Sequence, residues 1–192
     1  MLPKLNLVSA VAAVALFFLP WLSIECSGRR MATQTGVEMI AGKATPTREA
    51  LSDHISIEGR DESVGHSYLA GIALLTAGIG AVVAFVALGT GRKGLSRSSA
   101  GLCACAFACL LAQAAVGFPA KKELLKSAKP IPGAREVNVP LGESGRVLAE
   151  ELARQIQVTP LPWFYLELLL LAIPSAIFVN GLLDQVRAKD EK

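Results

Sequence analysis

The sequence predicts an all-α membrane protein, a four-transmembrane-helix bundle carrying a small extracytoplasmic cap made of a short β-hairpin and an amphipathic helix. Three observations predict it. Apolar residues are 52% of the 192 and charged residues only 18%, with a positive mean hydropathy, a composition of integral membrane proteins. Four apolar stretches, at about 5–24, 68–90, 98–118 and 161–182, each approach the roughly 20 residues a helix needs to cross about 30 Å of hydrocarbon. The connections alternate in length and leave two outer loops, 25–67 and 119–160, so residues 1–192 read as a single membrane domain.

The first stretch follows one early base, Lys4, and resembles a secretory signal to that extent. It is read instead as an anchored helix, because the apolar run continues through Pro20, Trp21 and Leu22 and outlasts the roughly 7–15 residues of a signal core. For orientation, raw numbers and density disagree. The long loops hold 12 of the 19 Lys and Arg but also 12 of the 16 acids, whereas Gly91–Arg97 carries three bases and no acid. Density is how a retained cytoplasmic loop reads, so both termini are expected in the cytoplasm and both long loops outside the cell membrane. Trp21, Tyr68, Trp163 and Tyr165, all the Trp and Tyr of the chain, fall on the long-loop side and are expected as interfacial anchors.

In the third stretch Ala100, Ala104, Ala108 and Ala112 recur every four residues, a small-residue stripe that lets backbones approach. The second stretch offers Ala73, Ala77 and Ala81 on one row and Gly80 with Ala84 on another. Joined by a short turn, the two helices are expected to form the tight antiparallel pair, with the bulkier first and fourth helices facing lipid. A pore lined by the small stripe is the weaker alternative, since conducting paths also carry polar lining.

Glu167 is the one charged residue inside a span, and an ionisable group at depth is a functional candidate by default. Gln113 falls at about the same depth, roughly 9 Å from the outer ends at 1.5 Å per residue, so a Glu167–Gln113 hydrogen bond is expected. Such a pair acts as a structural clamp or, alternatively, as part of a proton or cation route. Pro174 is expected to kink the fourth helix, and Asn180 to cap it or to contact Asn6.

In the first loop Ser27-Gly28 between short runs signals a hairpin over residues 21–36, followed by a short helix at 48–53 and a charged stretch. In the second loop the third helix is expected to continue through Lys121–Lys126 and to break at Pro130-Ile131-Pro132-Gly133. Residues 135–139 then read as extended, and 143–157 as an amphipathic helix with Val147, Leu148, Leu152 and Ile156 on one face. A strand from this loop joining the hairpin would complete the cap.

Reactive groups are scarce. Cys103, Cys105 and Cys109 lie among alanines with no CxxC, and Cys26 is expected at the other side of the membrane, too far for a disulfide with Cys103. His54 and His66 are both in the first loop without zinc-ligand spacing, no span holds a histidine for haem, and phosphate loops and nucleophile elbows are missing. The net charge of +3 is too small to indicate a nucleic-acid binder. No catalytic, cofactor or metal residues are therefore assigned.

The span order, with Pro20-Trp21, Cys26-x-Gly28, Thr35-Gly36 and Ala41-Gly42, resembles uncharacterised bacterial four-span membrane proteins, a likeness that implies no activity. The layout is similar to claudin-type tetraspans as well, but of their first-loop tryptophan and paired cysteines only Trp21 and Cys26 have counterparts, and no role is carried over. The expected function is a non-enzymatic accessory or scaffolding subunit in the lipid bilayer, binding another membrane or envelope protein or itself through the cap or the small-residue face. The alternative is a transporter or channel component using Glu167 and Gln113.

Overall fold

A computed structural model describes residues 2–48, 64–127 and 156–190. Its elements are α1 (Leu2–Leu16), β1 (Pro20–Cys26), β2 (Arg29–Thr35), α2 (Gly36–Ala41), β3 (Thr45–Pro46), α3 (Tyr68–Thr90), α4 (Lys93–Val116), α5 (Pro119–Ser127), β4 (Ile156–Pro160) and α6 (Pro162–Asp190). The protein is mostly helical with one small sheet, and three helical segments, over Tyr68–Thr90, Gly94–Glu123 and Pro162–Arg187, are long and apolar enough to cross a membrane.

The first apolar stretch is not one helix to Ile24, and Pro20 is the reason. Proline has no amide hydrogen to continue the ladder and pushes the residue before it out of the helical region. The chain closes α1 with two tight turns, Phe18 N–H to Ala15 O at 3.2 Å and Leu19 N–H to Leu16 O at 3.0 Å, and then extends as β1. The 15 residues of α1 therefore reach only about 22 Å at 1.5 Å per residue.

The hairpin forms where Ser27-Gly28 marks it. Both residues have positive φ, 52° and 76°, the primed turn geometry whose twist matches the flanking strands. The four-stranded antiparallel sheet has the order β3-β2-β1-β4, with Cys26 opposite both Arg29 and Ile156. Trp21, Leu22, Ser23 and Ile24 are all buried, so the central strand is covered on both faces. Ile156 and Gln157, expected at the end of an amphipathic helix, begin β4 instead. The rest of that expected helix, the extended segment at 135–139, the break at 130–133 and most of the helix at 48–53 lie outside the described residues. The helical continuation after the third span is present as α5, set off by Gly117 at φ 87°.

An unforeseen short helix, α2, follows β2 through a reciprocal cap. The Glu38 amide donates to Thr35 Oγ1 at 3.1 Å and the Thr35 amide to Glu38 Oε2 at 2.8 Å. Glycine is required at position 36, because a β-carbon there would lie 2.8 Å from both Phe17 Cδ1 and Trp21 Cζ2.

Helices α3 and α4 make the most extensive helix contact, as the small residues predict; α1 lies against α3 and α6, and α4 against α6. The buried seam of α3 is Ala70, Ala73, Ala77, Gly80, Ala84 and Ala87, spaced alternately by three and four, with Ala81 half-buried beside it. At Gly80 the helices come so close that a β-carbon would meet Cys103 Sγ at 3.3 Å, and Ser99 Oγ donates to the Gly80 carbonyl at 2.8 Å. The buried row of α4 is Ser99, Ala100, Cys103, Ala106, Leu110 and Gln113.

That row corrects the expected stripe. Ala100 is buried and Ala104 half-buried, but Ala108 and Ala112 are exposed. A strict four-residue repeat turns about 40° further at each step of a 100°-per-residue helix, so Ala112 has rotated about 120° away from Ala100.

The helices alternate in direction. At one end Asn6 of α1 donates to the Ser96 carbonyl of α4 at 3.3 Å. At the other, the Trp21 ring lies 4.4 Å from Phe17 and 5.5 Å from Phe164, and Leu161 N–H donates to the Trp21 carbonyl at 2.6 Å. The start of α1 and the last turns of α6 consequently lie at the end away from the sheet. Trp21 is fully buried, its indole N–H donating to Leu16 O at 2.9 Å; it is a core residue, not an interfacial anchor. Tyr68, Trp163 and Tyr165 are exposed.

Candidate functional site

The two polar residues singled out at depth do not bond to each other. Gln113 spends both ends of its amide on structure: Oε1 accepts from Ser67 Oγ, and Nε2 donates to the Gly117 carbonyl at 2.8 Å. Ser67 is the N-cap of α3, accepting from Ala70 N–H at 3.1 Å while its own amide donates to Met39 O at 3.0 Å. Gln113 thus ties the start of α3 to the end of α4. The expected bond to Glu167 is not formed, because equal depth leaves open which way each side chain points around its helix.

Glu167 shares the inward row of α6 with Phe164, Leu171, Pro174 and Ser175. It is fully enclosed, and neither carboxyl oxygen has a hydrogen-bond partner among the described residues. Toward the end away from the sheet, the α4 row that Gln113 belongs to continues through Leu110, Ala106 and Cys103 before it reaches Ser99, whose hydroxyl is committed to the Gly80 carbonyl. Helix α6 runs through Pro174, and Ser175 Oγ turns back to the Leu171 carbonyl at 2.6 Å. Asn180 is exposed, and the amide of Asn6 goes to Ser96 instead.

The outer surfaces of the helices differ in kind. Helix α3 presents Ile72, Leu75, Ile79, Val82 and Phe85, and α6 presents Leu166, Leu169, Ile173 and Val179, bulky groups at home in acyl chains. Helix α4 presents Cys105, Ala108, Ala112 and Ala115, with Leu111 and Val116 as the large residues beside them. This outward row repeats by three and four like the buried seam, and forms a flat strip on which another helix backbone could approach closely.

All four cysteines are free, with Cys103 buried and Cys105 exposed. Among the described residues no group of three His, Cys, Asp or Glu is placed to hold a metal ion. His66 directs Nδ1 to the Ile40 carbonyl at 3.1 Å, and His54 lies outside the described residues.

The chain matches no protein-family model, and comparison with curated proteins and with solved structures finds no similar one. The reading therefore rests on this chain's own geometry. Sequence reasoning passed over Ser67 and Ala115, and read Cys105 only as one of three cysteines among alanines. A serine directly before a long apolar run is a helix-start signal, and tracking small residues at 3.5 rather than 4 would have separated the two faces of α4.

Proposed function

We propose that the protein is an integral, multi-pass membrane subunit of four packed helices. In this reading it performs no catalysis and holds another membrane protein, or a second copy of itself, against the outer face of α4. The observation that carries this reading is the strip Cys105, Ala108, Ala112 and Ala115, exposed on one helix while the outer faces of α3 and α6 are bulky. Between helices in lipid there is no hydrophobic drive, and close backbone approach over small residues supplies the packing that replaces it. The sheet offers a second surface for an envelope partner. With the basic Gly91–Arg97 turn at the same end as the start of α1 and the last turns of α6, the orientation that fits is termini in the cytoplasm and sheet outside.

Paired substitutions Ala108→Leu and Ala112→Leu test the strip in the full chain. Extracted from native membranes, the parent protein is expected to carry a partner or a second copy, and the substituted protein to lose it with an unchanged thermal melt. A parent chain that is strictly monomeric and partnerless, by native mass measurement, overturns the proposal.

A second reading, a transporter or channel component, draws on the unpartnered Glu167 carboxyl. The engagement of Gln113 and the apolar row beside it weigh against it. Ion flux in liposomes that disappears on Glu167→Gln would favour transport.

A further inference from the structure

At the end away from the sheet, α1, the α3–α4 turn and the last turns of α6 border a half-open cavity of about 690 Å³. Its polar lining includes Asn6, Arg92, Ser96, Arg97 and Asp184, and Phe178 belongs to its apolar wall. Three observations make this more than a gap between helix ends.

First, the charge there opposes the helix that carries it. Arg92 is the N-cap of α4 and makes no side-chain cap bond; Lys93 and Arg97 follow, with no acid in the first turn. Cations at the positive end of a helix dipole are unfavourable, and uncapped amides at that end seek an anion. Second, neither guanidinium has an ion pair or hydrogen bond among the described residues, and that of Arg97 lies over Gly181, where a β-carbon would stand 3.8 Å from Nε and Nη2. Third, Asn6 is 1% exposed and gives its amide to Ser96, leaving Oδ1 without a donor.

We infer that this cavity binds the headgroup of a glycerophospholipid, an inference that rests on the membrane reading above. Arg92, Arg97 and the free amides of α4 take the phosphodiester, for which guanidinium is the matching fork. Asp184 takes hydrogen-bond donors on the alcohol, the ammonium of ethanolamine or the hydroxyls of glycerol. Phe178 and its apolar neighbours face the glycerol and the first acyl carbons. Basic recesses between helices at the cytoplasmic side of a membrane suit lipid headgroups of this kind.

Native mass measurement of the full chain in non-ionic detergent, titrated with defined lipids, tests the site. Phosphatidylethanolamine and phosphatidylglycerol are expected to remain bound, and phosphatidylcholine, whose head has no donor, to be retained less. The double change Arg92→Gln, Arg97→Gln should weaken retention about tenfold, the scale of losing charge-assisted hydrogen bonds. Lys4→Gln with Arg187→Gln, an equal charge loss at the same end outside the cavity, should leave retention unchanged. Asp184→Asn should weaken ethanolamine binding more than glycerol binding, which keeps the test informative if the arginine variant folds poorly. Absence of retained lipid, an equal loss in the charge control, or displacement by free inorganic phosphate at the lipid's own concentration each overturns the inference. Lipid retained on a partnerless monomer defeats only the scaffolding reading, and a retained partner without lipid defeats only this one.

Discussion

Glu167 is an acidic residue between Phe164 and Leu171 on the inward row of α6, enclosed on every side and without a hydrogen-bond partner among the described residues. Leaving a buried polar group unsatisfied costs about 1–3 kcal/mol, and an apolar side chain of similar size avoids that cost. Glu167→Leu is therefore expected to raise thermal stability in detergent by about 1–3 kcal/mol, read as an upward shift of the melt. A downward shift of similar size would show that the carboxyl is satisfied by a bound donor. The residue itself was legible in the sequence, as the one acid in a span. Its surroundings were not: depth can be counted along a helix at 1.5 Å per residue, but the direction a side chain faces depends on how neighbouring helices rotate against one another.

At the scale of elements, the Ser67–Gln113 contact joins two helices through one cap. Ser67→Ala removes the N-cap and the donor to Gln113 together, with an expected loss of about 1–3 kcal/mol. Gln113→Leu removes the other side of the contact. Thermal melts of the parent, both single variants and the double variant should give a coupling of about 0.5–3 kcal/mol, and strict additivity would refute the clamp. Elements whose signals are local were readable in advance. The Ser27-Gly28 turn, the small-residue pairing of α3 with α4 and the helical run after Pro119 follow from a few adjacent residues. The end of α1 was readable too, since Pro20 stops a helix, but the apolarity of Trp21, Leu22 and Ile24 masked it. A buried central strand and a membrane helix are equally apolar over so short a run. Strand β4 was hidden for a different reason: its partner β1 lies about 130 residues away in sequence, and only the assembled sheet explains why Ile156 and Gln157 extend.

For the whole molecule, the length of α1 is the decisive quantity. Its 15 residues reach about 22 Å, short of the roughly 30 Å of hydrocarbon. Yet α1 is fixed at both ends, through Asn6 to Ser96 at one and through the following Trp21 to Phe164 at the other, so it runs alongside the longer helices. A short helix pinned in this way crosses if the bilayer thins locally or the Trp21 end settles into the interface, at a modest cost per ångström of mismatch. Parity then gives a test. If all four helices cross, reporters fused before Leu2 and after Lys192 fall on the same side, which in the orientation proposed above is the cytoplasm, with Cys26 reacting with a membrane-impermeant thiol reagent in intact cells. If only α3, α4 and α6 cross, the two reporters fall on opposite sides. The first outcome is expected, because Asn6 and Asp184 line one cavity, and two residues that share a recess at the end of a helix stack share a side of the membrane.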